Sequence, residues 1–313
     1  MRNCGVAELA TTGCSRGVAG SPRTFPVMTF DSTRTCWLNG AFVPERDAQV
    51  SIFDRGLLFG DGVYEVAAAL DGRLLDADLH LARLTRSLGA IEIEGTLSTA
   101  AWLEVMQQLL DRNGIEDGFV YLEVTRGVAD RDFLFPAHVV PTQFAYARPK
   151  KFRDDPNASG IALQSVPDIR WARRDIKSVA LLAQVLAKQG ARVAGAFEAL
   201  MHEEGTVTEG GSSNVWIVSR GVLITRPLSA AILAGITRAV TMELARKLGL
   251  PVEERAFTVA EALAADECFI TSATSFVLAA TRLDGREIGA GTPGPIALAL
   301  RTAYFERADR PAR

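Results

Sequence analysis

The chain has 313 residues, of which 48% are apolar and 23% charged, with a formal net charge of −3 at pH 7; it is too apolar for intrinsic disorder and ordinary for a globular fold. Its mixed, slightly acidic charge leaves no basic stripe for a nucleic acid, and no apolar run approaches the ~18 residues of a membrane span. The histidines His80, His138 and His202 show no metal-ligand spacing, and Cys4, Cys14, Cys36 and Cys268 form neither a disulfide framework nor a zinc set, so a reducing, cytoplasmic setting is the default.

Residues 1 to 35 are rich in Gly, Ser, Thr and Arg without a sustained period. They read as a disordered or mis-assigned extension, with Met28 as an alternative start and no secretory apolar core. From Trp37 the pattern is β-rich: Asn39-Gly40 predicts a hairpin turn, and Gly62–Leu70 predicts a strand turned by Asp71-Gly72 into Arg73–Leu75. Leu79, Arg83, Leu84, Leu88 and Ile91 follow helical spacing, and a second helix over Thr99–Arg112 meets a stop at Asn113-Gly114. Strands at Phe119–Thr125 and Gln143–Ala147 complete a first unit, 36–148, and the charged, Pro-bounded stretch 149–158 reads as an interdomain linker.

The second unit, 159–307, opens with a strand at Gly160–Val166 and a long helix over Val179–Val193. Strands are predicted at Phe197–His202, Asn214–Ser219 and Val222–Thr225, then a helix over Thr237–Leu248 stopped by Gly249. Thr258 and Glu261 have capping-box spacing, Glu267–Ser272 and Val277–Leu283 read as strands, and a closing helix covers Pro295–Arg307 before a short tail, 308–313. Strands and helices cluster without strict alternation, which makes the class α+β in two domains.

Of 34 basic residues only Lys150, Lys151, Lys177, Lys188 and Lys247 are lysines. Four have surface readings, whereas Lys177 sits among apolar neighbours where a loop enters the predicted long helix. A desolvated lysine amine attacks carbonyl carbons; a lysine paired with Asp175 is the bland alternative. Thr208-Glu209-Gly-Gly-Ser-Ser-Asn214 is a polar, Gly-rich turn into an apolar strand, and Glu209 is a candidate carboxylate for a pyridine nitrogen. Gly235-Ile236-Thr237 precedes a helix whose first N–H groups suit an anion, with Arg83 as a candidate cation. No Walker or Rossmann glycine pattern is present.

The segments Phe53–Val66, His80-Leu-Ala-Arg-Leu84, Thr125–Arg131, Asp168-Ile-Arg-Trp171, Asp175-Ile-Lys-Ser178, Thr208–Asn214 and Ile232–Arg238, in this order, resemble the fold-type IV, class IV pyridoxal-phosphate aminotransferases, most closely the D-amino acid branch. The resemblance runs from about Trp37 to Phe305. It implies a small N-terminal α/β domain, a larger mixed, barrel-like C-terminal domain with helices, pyridoxal 5'-phosphate as cofactor, amino acids and 2-oxo acids as substrates, and a homodimer.

By the same resemblance Lys177 is the Schiff-base lysine, Glu209 the partner of the pyridine nitrogen and Arg83 the phosphate arginine. Gly235, Ile236 and Thr237 form the phosphate turn, and Leu233 packs on the ring. Ser213, Asn214, Ser272 and Ala273 complete the cofactor site, and Tyr64, Arg131 and Phe133 the substrate site. Arg131 suits a carboxylate because two parallel hydrogen bonds fix its orientation. This sequence departs from the branch pattern at Phe133, where Arg-x-His is usual, at Ala273, where a hydroxyl is common with Ser272 as substitute, and at Phe276. That last residue replaces an acidic one and implies a more apolar substrate pocket. Branched-chain L-amino acid aminotransferase, (R)-amine transaminase and aminodeoxychorismate lyase are rival activities on this scaffold, and a non-catalytic cofactor-binding module is the remote one.

Overall fold

Asn39 and Gly40, at φ 46° and 97°, turn β1 (Thr35–Leu38) into β2 (Ala41–Pro44) in the computed structural model, which describes residues 33–153 and 155–309. The extension expected for residues 1–35 therefore lies, up to residue 32, outside the described residues, as do residues 310–313. The first sheet continues through α1 (Arg55–Phe59), β3 (Gly62–Leu70), β4 (Arg73–Leu74), α2 (Ala77–Ala90), α3 (Thr99–Asn113), β5 (Gly118–Thr125) and β6 (Thr142–Pro149). Its strand order is β2-β1-β6-β5-β3-β4, antiparallel throughout.

Alternation along the strands sorts this sheet into two faces. Val63, Ala67, Val120, Leu122 and Ala145 pack against Leu81, Leu84 and Leu88 of α2 and Trp102, Met106 and Leu109 of α3. The other face carries a ladder of rings, Tyr64 on Tyr121 at 5.5 Å and Tyr121 on Tyr146 at 5.1 Å. Gly114, in the left-handed conformation at φ 61°, ends α3.

The second unit runs β7 (Ile161–Pro167), α4 (Leu182–Val193), β8 (Glu198–Glu203), β9 (Thr206–Gly210), β10 (Asn214–Ser219), β11 (Val222–Thr225), α5 (Ile236–Lys247), β12 (Val252–Glu254), α6 (Val259–Ala264), β13 (Glu267–Ser272), β14 (Phe276–Leu283) and α7 (Pro295–Asp309). Strand order is β12-β11-β10-β13-β14-β7-β8-β9. The β11–β12, β14–β7 and β7–β8 pairs are parallel and the rest antiparallel, so the sheet is mixed and curls into a half-barrel. Trp216, Phe269 and Val277 face α5 and α7, whereas Val215, Ile217, Ile270 and Leu278 pack with Phe257 and with Ala262 of α6. Thr258 and Glu261 close the capping box that their spacing predicts. The architecture is α+β of fold type IV, and no helix among the described residues is long and apolar enough to cross a membrane.

Three local expectations are corrected. The helix expected from Val179 starts at Leu182, because residues 177–179 are drawn out along the edge of β3: Tyr64 N–H donates to the Lys177 carbonyl at 3.0 Å and Val179 N–H to Gly62 at 3.1 Å. The turn expected from Thr208 is strand through Gly210, since β9 pairs with β8 across the turn at Glu204-Gly205. The charged 149–158 segment packs on the second unit: Phe152 is buried against Phe276, and Lys150 Nζ donates to the Thr274 carbonyl at 2.5 Å. Finally, α7 continues through Asp309 with Ala308 buried, beyond the tail boundary at 308.

Candidate active site

A cleft opens between the two sheets. Its walls come from β3 (Tyr64, Val66), α2 (His80, Arg83), the 170–184 stretch, the β9–β10 turn, the loop into α5 (Leu233, Gly235, Ile236, Thr237) and the β13–β14 turn (Thr271–Thr274). Lys177 is half-buried here, held by the backbone pairing to β3, with Nζ 4.1 Å from the Tyr64 ring centroid. Asp175 does not pair with it. That carboxylate binds Arg173 at 3.0 Å and faces Arg86, which leaves the Lys177 amine to the cleft.

Glu209 sits at the end of β9 and is almost fully buried. Leu233 N–H donates to it at 3.1 Å, Asn214 Nδ2 at 3.0 Å and Arg170 Nη1 at 2.5 Å. Burial pushes its carboxyl above the ordinary range even against the Arg170 charge. Arg170 is in turn clamped by Asp168 through Nε and Nη2, at 3.0 and 2.7 Å, and the Thr208 hydroxyl donates to the same carboxylate at 2.6 Å. Sequence reasoning places Asp168 and Arg170 within a motif but gives them no part in the site. No local sequence signal links them to Glu209, which lies 39 positions beyond Arg170.

At the other wall the N-cap of α5 is Gly235, and no side chain caps that helix. The N–H groups of its first turn are thus donors without helical partners. Gly235 is required by its neighbour: a Cβ there would stand 2.0 Å from Asn214 Oδ1. Arg83 reaches across from α2 and donates from Nη1 to the Ala234 carbonyl at 2.8 Å. Behind it lies Glu65, to which the sequence assigns no role, and which accepts from Arg83 Nε and Nη2 at 2.7 and 2.8 Å. Ser213, Ser272 and Ala273 also line the cleft, and Ser213 Oγ points toward the buried Glu198 at 3.4 Å.

The structure does not bring every expected residue here. Arg131 and Phe133 lie on the exposed 127–141 loop, outside the cleft's walls within one chain, with Phe133 packed on Phe59. Phe276 is buried among Phe152, Tyr304 and Phe305 rather than facing a substrate. A positive φ of 54° at this residue accompanies its inward course, so the expected apolar contribution to the pocket does not come from it. The loop bearing Arg131 is itself anchored: Arg55 and Arg126 share Asp61 at 2.8 Å each, and Arg55 Nη1 donates to the Asp132 carbonyl at 2.6 Å.

The cleft thus brings together an amine with no ion-pair partner among the described residues, a buried carboxylate and an uncapped helix N-terminus beside an arginine, a set that suits an anionic carbonyl compound. Residues 62–283 match the amino-transferase class IV family, and the chain belongs to that family. Among curated relatives, the D-alanine aminotransferase of Bacillus licheniformis is 42% identical over 85% of this chain and 94% of its own length. That of Staphylococcus aureus (strain N315) is 40% identical over 86% and 95%. Among solved structures, the branched-chain amino acid aminotransferase of Thermobaculum terrenum in its PLP form superposes with a TM-score of 0.79 at 25% identity, over 89% of this chain and 95% of the other. The chain is an aminotransferase.

Proposed function

We propose that this enzyme transfers the amino group of a D-amino acid such as D-alanine to a 2-oxo acid such as 2-oxoglutarate, with pyridoxal 5'-phosphate as cofactor. The observation that carries the choice of enantiomer is the identity of up to 42% to D-alanine aminotransferases across almost their whole length. The donor set fits the cofactor: an amine for its aldehyde, a buried carboxylate for its ring nitrogen, and Arg83 with the Ile236 and Thr237 amides for its phosphate. Bound pyridoxal 5'-phosphate supplies an electrophilic carbon and an electron-accepting ring.

The chain's own groups do the rest. Lys177 Nζ would anchor the cofactor as a nucleophile and would move the α-proton of the amino donor, as base and then as acid. Glu209 holds a proton at the ring nitrogen, and Arg170 with Asn214 and Leu233 N–H keeps its carboxylate oriented. Leu233 would pack on the ring, and Ser213, Ser272 and Ala273, which line the same cleft, would close the cofactor's surroundings. Tyr64, whose ring already meets Lys177 Nζ, faces the substrate carboxylate.

A homodimer belongs to this proposal. Leu182, Val185, Leu186 and Val193 of α4 and Phe133, Leu134 and Val140 of the 127–141 loop are exposed apolar side chains that a second copy would cover. A second copy presenting that loop is what brings Arg131, with Phe133 beside it, to the carboxylate. A cytoplasmic location rests on Cys36 and Cys268 being free thiols.

Branched-chain L-amino acid transamination is the second reading, favoured by the fold likeness to those enzymes. A donor panel decides. With 2-oxoglutarate as acceptor, D-alanine should support turnover and L-leucine should not; reaction of the L-enantiomers alone overturns the D-amino acid reading.

A further inference from the structure

An arginine that grips a phosphate gains nothing electrostatically from a carboxylate at its back, yet Arg83 has one. Glu65, on β3 and 1% exposed, takes Nε and Nη2 in two parallel bonds of 2.7 and 2.8 Å. Nη1 donates to the Ala234 carbonyl, next to the uncapped start of α5. Three of the guanidinium's N–H groups are thereby spent, and one on each Nη remains. His80, also buried, bonds Glu65 Oε2 through Nδ1 at 2.7 Å. Burial alone would raise the Glu65 carboxyl, but the charge and hydrogen bonds of Arg83, with help from His80, hold it down to about 2. An ionised carboxylate only accepts, so His80 Nδ1 carries the proton between them.

We propose that Glu65 and His80 are positioning residues for Arg83, fixing the plane of its guanidinium so that the two remaining N–H donors meet a phosphate monoester at the N-terminus of α5. The inference rests on Arg83 being the phosphate ligand. Orientation is favoured here over field: the Glu65 charge weakens the attraction of the site for an anion in general and sharpens it for one geometry.

The sign of one substitution separates the two effects. Apoenzyme is titrated with pyridoxal 5'-phosphate and, separately, with pyridoxal, which lacks the phosphate, by equilibrium dialysis. Glu65→Gln removes a negative charge and, in place of one acceptor oxygen, sets an amide donor against the guanidinium. It should weaken pyridoxal 5'-phosphate binding by about tenfold or more, the worth of a charge-assisted hydrogen bond, with pyridoxal binding unchanged. Tighter phosphate binding, or an equal loss for both ligands, overturns the proposal. His80→Ala, which spares the Arg83 pair, should lower the same ratio severalfold and serves where Glu65→Gln does not fold; an unchanged ratio in it counts against the proposal. Arg83→Gln is the control for the underlying reading. If it keeps the preference for the phosphorylated ligand, Arg83 is not the phosphate ligand; if it loses the preference and Glu65→Gln keeps it, positioning alone is wrong.

Discussion

Lys177 stands out in the sequence because the other lysines have surface readings, but the structure removes part of that contrast. Burial lowers the pKa of Lys150, which is tied to Thr274, and Lys188 pairs with the buried Glu198 at 2.9 Å and reaches Ser212 at 3.0 Å. What separates Lys177 is its place: it is the lysine that lines the cleft, with its amine 4.1 Å from the Tyr64 ring centroid and in no ion pair among the described residues. Lys177→Ala should cut turnover by at least about 10³-fold, since anchor and proton carrier go together, while the urea midpoint of the apoenzyme stays near wild type. Glu209→Gln keeps the shape and removes the charge facing Arg170. It should lower kcat by about 10²-fold, read in single-turnover experiments, with only a small change in substrate KM. Glu209 was legible as a lone carboxylate in a glycine-rich stretch. Its supports were not, because Arg170 and Leu233 are 39 and 24 positions away.

Element boundaries were legible wherever the chain caps itself: Gly114 after α3, the Thr258–Glu261 box at α6 and the Asn39-Gly40 turn all fall where local chemistry puts them. Boundaries set by long-range pairing were hidden, as with the edge of β3 that delays α4. The Asp54–Gly62 segment is a further case, a motif in sequence whose physical purpose shows only in space. Asp54 caps α1, and Asp61 joins Arg55 to Arg126. Asp61→Asn leaves two buried guanidinium groups short of a counter-charge and should cost about 3–5 kcal/mol, measured by urea unfolding, with the Arg131 loop cleaved faster by protease. Gly235→Ala should drive Asn214 from its bond to Glu209 and destabilise the fold by about 1–3 kcal/mol; an unchanged midpoint contradicts the close approach.

Buried carboxylates tie elements together within each unit, and their protonation weakens the whole molecule at low pH. Glu65 is held at about 2, and Asp61 and Asp168 are also depressed, by their arginine partners against the opposing effect of burial. Each folded-state value lies below the unfolded one, so the stabilisation is complete above the ordinary carboxylate range and is lost as pH falls through it toward 2. For Glu65 alone the difference is on the order of 3 kcal/mol. The urea midpoint should therefore fall steeply below about pH 4.5, and less steeply in Glu65→Gln; parallel curves would contradict the assignment. The two-sheet architecture was legible from clustering of strands and helices. The placement of Arg131 on an exposed loop outside the cleft's walls was not, because nothing local in Thr125–Arg131 shows where that loop lies relative to the second sheet.

Lys177 is stitched by its own backbone to β3 of the first sheet, while the chain on either side of it runs into elements of the second. The sheets therefore cannot hinge apart around the cleft without unzipping the lysine from its seat. A cleft laced in this way is expected to admit and release ligands without the sheets parting. In hydrogen–deuterium exchange the Tyr64 and Val179 amides should keep pace with one another and with global unfolding, not with the turnover of substrate.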